Sequence, residues 1–270
     1  MIVVADNLSG ARASVRRAIE QRDAQAIAGL CTRVQAAGAD WIDINPGYIP
    51  PGRRKELWSW LVGVVEDSCG LTLVIDSPEP EVLKMAAALC SRPPVLNMAT
   101  AEPSRLKPVL EIAAAEGLEL IAATITSTVP VTAAERLELA ALILHEAEAM
   151  GIEPGRILLD PMVMPLAAPE GEKHARGVIE TLRALAQVFD PPPRSIMALS
   201  NLVTRSAGAE ARFAAGPFLA AAWGAGLSAV MMDALDGGLW QVIRLCEIFE
   251  GRRIFAPGEF SSPGDEGAPA

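Results

Sequence analysis

The feature that most constrains this chain is an alternation. Short apolar runs rich in β-branched residues recur along it, each separated from the next by a longer stretch of helix formers. Eight such runs stand out, at residues 2–5, 41–44, 71–75, 95–98, 118–124, 157–159, 195–199 and 228–232. Between them lie amphipathic stretches, at 23–37, 79–90, 104–116, 133–150, 177–189 and 239–249. Fully apolar strands alternating with helices are the signature of βα units around a parallel sheet, whose strands are buried on both faces. Eight strands in 270 residues fit a closed barrel of about 250 residues. The expected fold is therefore α/β, a single (β/α)8 TIM barrel over residues 1–255, with residues 256–270 as a Gly-, Pro- and Ser-rich C-terminal tail. Counting strands also allows an open doubly wound sheet, but no G-x-G-x-x-G follows the first run.

Punctuation between the runs supports this division. Ser77 before Pro78 predicts a helix start, and Thr132 with Glu135 three residues on predicts a capping box. Gly70, Gly117 and Gly151 are expected to close helices. The uncharged segment 213–232 has the length of a membrane span. Gly216-Pro217 and Gly224-Ala225-Gly226 interrupt it, so it reads as a buried helix, a turn and a strand.

Charge and cysteine usage narrow the partners. A net charge of −10 argues against nucleic acid, whose binding needs cations along the phosphates. Cys31, Cys69, Cys90 and Cys246 are scattered singly, which suits reduced thiols, and no bound metal is expected. The N-terminus lacks the basic and apolar regions of a signal peptide and reads as a strand, so a cytoplasmic location without membrane attachment is expected.

In such barrels chemistry sits where strands end and βα loops begin. Those positions present Asp6 with Ser9, Asp43 with Asn45, Asp76, Asn97, Thr124 with Thr126, Asp160, Asn201 and Asp233. Histidine and lysine are absent from the ring: His145 and His174 fall in helix or loop, His145 most simply as a solvated helix residue. A ring of Asp and Asn without cations suits a neutral heterocycle rich in N–H donors and carbonyl acceptors, such as a pterin. The alternation along residues 41–45 puts Trp41, Asp43 and Asn45 on one face and Ile42 and Ile44 on the other. Asp76 and Asp160 stand before Ser-Pro and Pro, where an Asp also organises turns. Asn97, inside Val-Leu-Asn-Met, is costly to bury without partners and points to ligand contact. Tyr48, the one tyrosine, stands on the same end of the chain's second unit and is explained equally by loop packing.

As an ordered set, Asp43-Ile-Asn45-Pro-Gly47, Ile75-Asp76-Ser77, Leu96-Asn97, Leu159-Asp160-Pro161 with Pro165, Leu199-Ser200-Asn201 and Met232-Asp233-Ala234-Leu235-Asp236 resemble the methyltetrahydrofolate:corrinoid protein methyltransferases, within the pterin-binding barrels. The resemblance covers the chain to about Pro257. It implies that Asp76, Asn97 and Asp160 hold the pterin ring and that Asn201 hydrogen-bonds N5, which carries the methyl group. It also implies (methyl)tetrahydrofolate as substrate, a corrinoid (cobalamin) on a partner protein, and a homodimer. Three segments depart from the family pattern. Asp6-Asn7-Leu8-Ser9 replaces the usual Glu-Arg-Ile-Asn, Thr204 stands where a Gln is common, and Ile125-Thr126-Ser127-Thr128 replaces an Asn-Lys pair. The alternatives are a dihydropteroate synthase-like enzyme, a barrel hydrolase or lyase with Mg²⁺ on the Asp ring, and a non-catalytic folate-binding subunit. Against the first, Asp233-Ala-Leu-Asp236 carries none of the cations that synthases place after strand eight.

Overall fold

The structure, a computed structural model, describes residues 1–203 and 209–256. Eight parallel strands close into a barrel: β1 (Ile2–Ser9), β2 (Trp41–Asn45), β3 (Thr72–Asp76), β4 (Val95–Thr100), β5 (Glu119–Ala123), β6 (Ile157–Asp160), β7 (Arg194–Ala198) and β8 (Ala229–Met232). Closure is direct, with Ile2 to Ala5 of β1 paired to Ala229 to Met232 of β8. Around it run α1 (Ala13–Glu20), α2 (Ala24–Ala36), α3 (Arg54–Ser68), α4 (Pro80–Ala87), α5 (Pro103–Glu116), α6 (Ala133–Ala149), α7 (Gly171–Val188), α8 (Ala209–Gly224) and α9 (Gly237–Phe249). The expected barrel is the observed one. The proposed tail lies outside the described residues apart from Ala256, and so does Thr204.

The two-residue period of the strands builds the barrel in layers. Outward residues such as Ile42, Ile44, Ile75 and Leu96 are fully buried against the helices. Inward, Val4, Val74, Val95, Ile121, Leu158, Ile196 and Met231 fill the interior, with Trp41 packed against them. Two residues further along these strands come Asp6, Asp76, Asn97 and Asp160, and Asp43 follows Trp41 in the same way. The polar ring is therefore the layer directly above an apolar floor, held in register by pairs such as Asp76 with Asn97.

Local signals mostly act as expected. The Thr132 side chain accepts from the Glu135 N–H at 3.3 Å and Glu135 accepts from the Thr132 N–H at 3.1 Å, completing the capping box. Gly117 (φ 68°) and Gly151 (φ 73°) occupy the left-handed region that ends α5 and α6. Two expectations fail. Ser77 caps no helix: its hydroxyl accepts from the Glu79 N–H at 3.2 Å in a turn, and α4 begins at Pro80. Gly70 is not a helix terminator either, because α3 ends in an extended Cys69 and the Gly70 N–H donates to the Gln35 side chain at 2.6 Å.

Segment 213–232 is a helix, a turn and a strand, but Gly216-Pro217 does not break the helix. An internal proline costs about 3 kcal/mol, a penalty offset here by burying Leu219, Ala222 and Trp223. Among the described residues no helix is long and apolar enough to cross a membrane. Cys31, Cys69 and Cys246 are buried and Cys90 half-buried, all as free thiols.

Candidate functional site

At the C-terminal ends of the strands the barrel opens into a cavity of about 470 Å³, within the range of small-molecule sites. Asp43 and Asn45 from β2, Asp76 from β3, Asn97 from β4, Asp160 from β6 and Asn201 from the 3-10 turn after β7 all line it. These six residues thus reach one space, together with Asp6 and Ser9. Thr124, Thr126 and Asp233 from the expected ring do not line it. Thr124 is buried and bonds to the Asp160 carbonyl instead.

The ring is cross-linked. Asn45 Nδ2 donates to Asp76 Oδ2 at 2.6 Å, and its Oδ1 accepts from the Gly47 N–H at 3.0 Å. Asn97 Nδ2 donates to Asp43 Oδ1 at 3.2 Å. Asp160 Oδ1 accepts from the Met162 N–H at 2.7 Å, the turn role its sequence context suggests, while the side chain still faces the cavity. Asn201 is exposed at the mouth, in a turn where no side chain caps the first residue.

Burial sets the electrostatics. It pushes Asp160 up to about 6, against the Met162 N–H and the nearby Arg136 charge. Burial likewise raises Asp76 to about 6, opposed by the Asn45 hydrogen bond and Arg105. Asp43 sits deepest of the three and is driven well above the ordinary carboxylate range by burial and by the neighbouring Asp76 charge. A desolvated carboxylate in this state gains strongly from ligand N–H donors.

Sequence reasoning missed two groups. The ring is not free of cations: Arg12, beyond the end of β1, lines the cavity and binds Asp6 Oδ1 at 2.9 Å and Asp233 Oδ2 at 3.0 Å. Asn7 completes this tie by donating to Asp233 Oδ1 at 2.6 Å and accepting from the Ala234 N–H at 2.9 Å. The second group lies behind Asp160. Arg136 is fully buried; its Nε donates to the Pro161 carbonyl at 2.8 Å and its Nη1 to the Val131 carbonyl at 2.8 Å. His174 Nδ1 lies 3.4 Å from Arg136 Nη2, and a side chain at Gly177 would collide with Arg136 and the Val131 carbonyl. Arg136 therefore fixes the peptide that follows Asp160. Among the described residues no group of three or more His, Cys, Asp or Glu is arranged to hold a metal ion.

Comparisons with known proteins agree with this fold. The fold matches dihydropteroate synthase from Stenotrophomonas maltophilia with active site-bound imidazole, with a TM-score of 0.70 at 17% identity over 94% of each chain. It also matches the Xanthomonas albilineans synthase in complex with 7,8-dihydropteroate, with a TM-score of 0.62 at 17% identity over 84% of each chain. At those identities the likeness concerns the fold. In sequence, the chain is 32% identical over 178 residues to a protein of Eubacterium limosum named methylcorrinoid:tetrahydrofolate methyltransferase. That match spans 65% of this chain and 64% of the relative. The family described as pterin binding enzyme matches residues 7–243, the span that carries every residue lining the cavity except Asp6, and the chain belongs to that family.

Proposed function

We propose that the protein is a methyltransferase moving a methyl group between N5 of tetrahydrofolate and the cobalt of a corrinoid carried by a partner protein. The observation that carries the reading is the convergence of Asp76, Asn97, Asp160 and Asn201, from four separate βα units, on one cavity. The name of the Eubacterium limosum relative supports it. In this reading Asp76 and Asp160 accept from the pterin N–H groups, and Asn97 both donates and accepts along the same polar edge. Asp43 and Asn45 hold these partners in place through the bonds already described.

The pterin head then lies with N5 towards Asn201. In one direction Co(I) attacks the N5-methyl carbon; the carbon–nitrogen bond breaks as methyl-Co(III) forms, and N5 takes a proton from solvent. The other direction reverses these steps. An amine is a poor leaving group, so charge developing on N5 must be stabilised as the bond breaks, and an amide donor aimed at N5 does this. Asn201 is electrophilic support, not a general base.

The experiment is spectroscopic. Protein mixed with 5-methyltetrahydrofolate and reduced cobalamin is expected to convert Co(I) to methyl-Co(III), or to run the reverse from methylcobalamin and tetrahydrofolate. Absence of protein-dependent conversion in both directions, with folate bound, would leave a folate-binding subunit as the answer. Chelation is expected to leave the rate unchanged, and a loss on chelation would favour a metal-dependent enzyme. The same reading takes the working form as a cytoplasmic homodimer, which the mass in solution tests.

Affinity should depend on pH with a definite sign. Asp76 and Asp160 titrate near 6 in the free protein, and ligand N–H groups favour their ionised forms. Folate affinity is thus expected to be flat above pH 6 and to fall about tenfold per pH unit below it for each carboxylate that must ionise. Titrations by calorimetry from pH 5 to pH 8 check this, and Asp160→Asn should reduce the slope.

The synthase-like alternative fits less well. A diphosphate leaving group needs a free cation within the catalytic cavity, whereas Arg12, the one cation among the described residues that line the first cavity, is engaged by Asp6 and Asp233.

A further inference from the structure

A second cavity, of about 610 Å³, opens between the loops that follow β1 and β2. It shares Ser9, Ala11 and Asn45 with the first cavity, so the two are neighbours along that wall. Its base is a close backbone approach. The Gly10 N–H donates to the Asn45 carbonyl at 2.7 Å, and a Cβ on Gly10 would lie 2.6 Å from the Pro46 carbonyl oxygen. Ile19, Ile49 and Leu57 give the wall an apolar stretch, and the Tyr48 ring stands at the lip with 82% of its surface exposed.

The polar part of this wall is cationic. Arg16 and Arg53 both line it, against one acid, Glu20. Among the described residues neither arginine is paired with a carboxylate, and Arg16 bonds to the Gly10 carbonyl at 3.2 Å. In a chain of net charge −10, this stretch of wall beside the first cavity carries more cations than acids.

Two other spaces that share residues with the first cavity lack this character. The one beside β6 and β7 is lined by Met162, Met164 and Val203 and carries no charged side chain. The one below β2 and β3 has a single cation, Arg54, already bound to Glu79 at 2.6 Å.

We propose that the cavity between the β1 and β2 loops receives the tail of the folate: the benzoyl ring against the apolar wall and Tyr48, and the glutamate carboxylates at Arg16 and Arg53. This rests on the folate reading above and adds the substrate's second half to it. A bicyclic head gripped by its polar edge at the base of the ring must project its substituent to the mouth. There the order of apolar wall and then cations matches the order of aromatic amide and then carboxylates.

The test is binding of two ligands to the wild-type protein and to the R16A/R53A double variant. Both arginines are exposed, so the barrel core is untouched. The ligands are 5-methyltetrahydrofolate and the tail-less 6-methyltetrahydropterin. Loss of two charge-assisted contacts at an exposed site is expected to weaken folate about tenfold. The tail-less pterin should bind both proteins equally, and R16K/R53K should recover part of the folate affinity. Unchanged folate affinity in R16A/R53A, or an equal loss for both ligands, overturns the tail site while leaving the folate reading intact. A wild-type protein that binds neither ligand overturns both.

Discussion

Asn201→Ala is expected to lower methyl transfer by about 10²-fold or more, with folate affinity changed only a few-fold. The asymmetry follows from position. Asn97 and Asp160 are buried in the ring, whereas Asn201 is exposed at the mouth and contributes little to desolvating the head group. Its contribution comes when the carbon–nitrogen bond breaks and N5 becomes a stronger acceptor. Single-turnover kinetics with reduced cobalamin, beside equilibrium binding of 5-methyltetrahydrofolate, separate the two effects. A rate within a few-fold of wild type removes Asn201 from the mechanism, and a matching loss in affinity makes it a binding residue only.

Arg136→Met should destabilise the fold by about 3 kcal/mol, because it strips the donors from two buried carbonyls. For a protein of this size that lowers Tm by about 6–12 °C. The acceptors left behind, Pro161 and Val131, belong to the β6 loop and the approach to α6, so the damage falls beside the site. A second readout distinguishes this from general weakening. Arg136 is one of the charges that oppose the upward shift of Asp160, so its removal should move the acid limb of folate binding to higher pH. Calorimetric unfolding and a pH series of folate titrations check the two halves. If Tm is unchanged, Arg136 does not hold the loop.

Much of this molecule was legible in its sequence because the barrel repeats one physical rule. Each strand is buried on both faces, so each appeared as an apolar run, and the side chain at its end faced the mouth by alternation alone. Asp43, Asp76, Asn97 and Asp160 were found in this way. The rule failed where polar residues continue a strand. β1 runs to Ser9 rather than Ala5, because Asp6 and Asn7 belong to the strand even though they end its apolar run. Arg12 escaped notice for a related reason: it lies past the strand end and reaches back over the cavity, a return that no local pattern encodes. Arg136 was hidden on a helix, where a buried guanidinium looks like any solvated one until its carbonyl partners, far off in sequence, are known. Ser77 and Gly70 misled because turn formers act equally well outside helices, and the tertiary partner, Gln35 for Gly70, decided the outcome. Pro217 misled because packing against the barrel outweighed its local penalty.

The tie among Asn7, Arg12, Asp6 and Asp233 joins the first strand of the chain to its last βα turn. During synthesis Asp233 leaves the ribosome more than two hundred residues after Asp6. The rim of the pocket is therefore completed only once β8 and the turn after it have been made. A nascent fragment that stops short of β8 has an unsealed sheet, with Arg12 still waiting for one of its two acids.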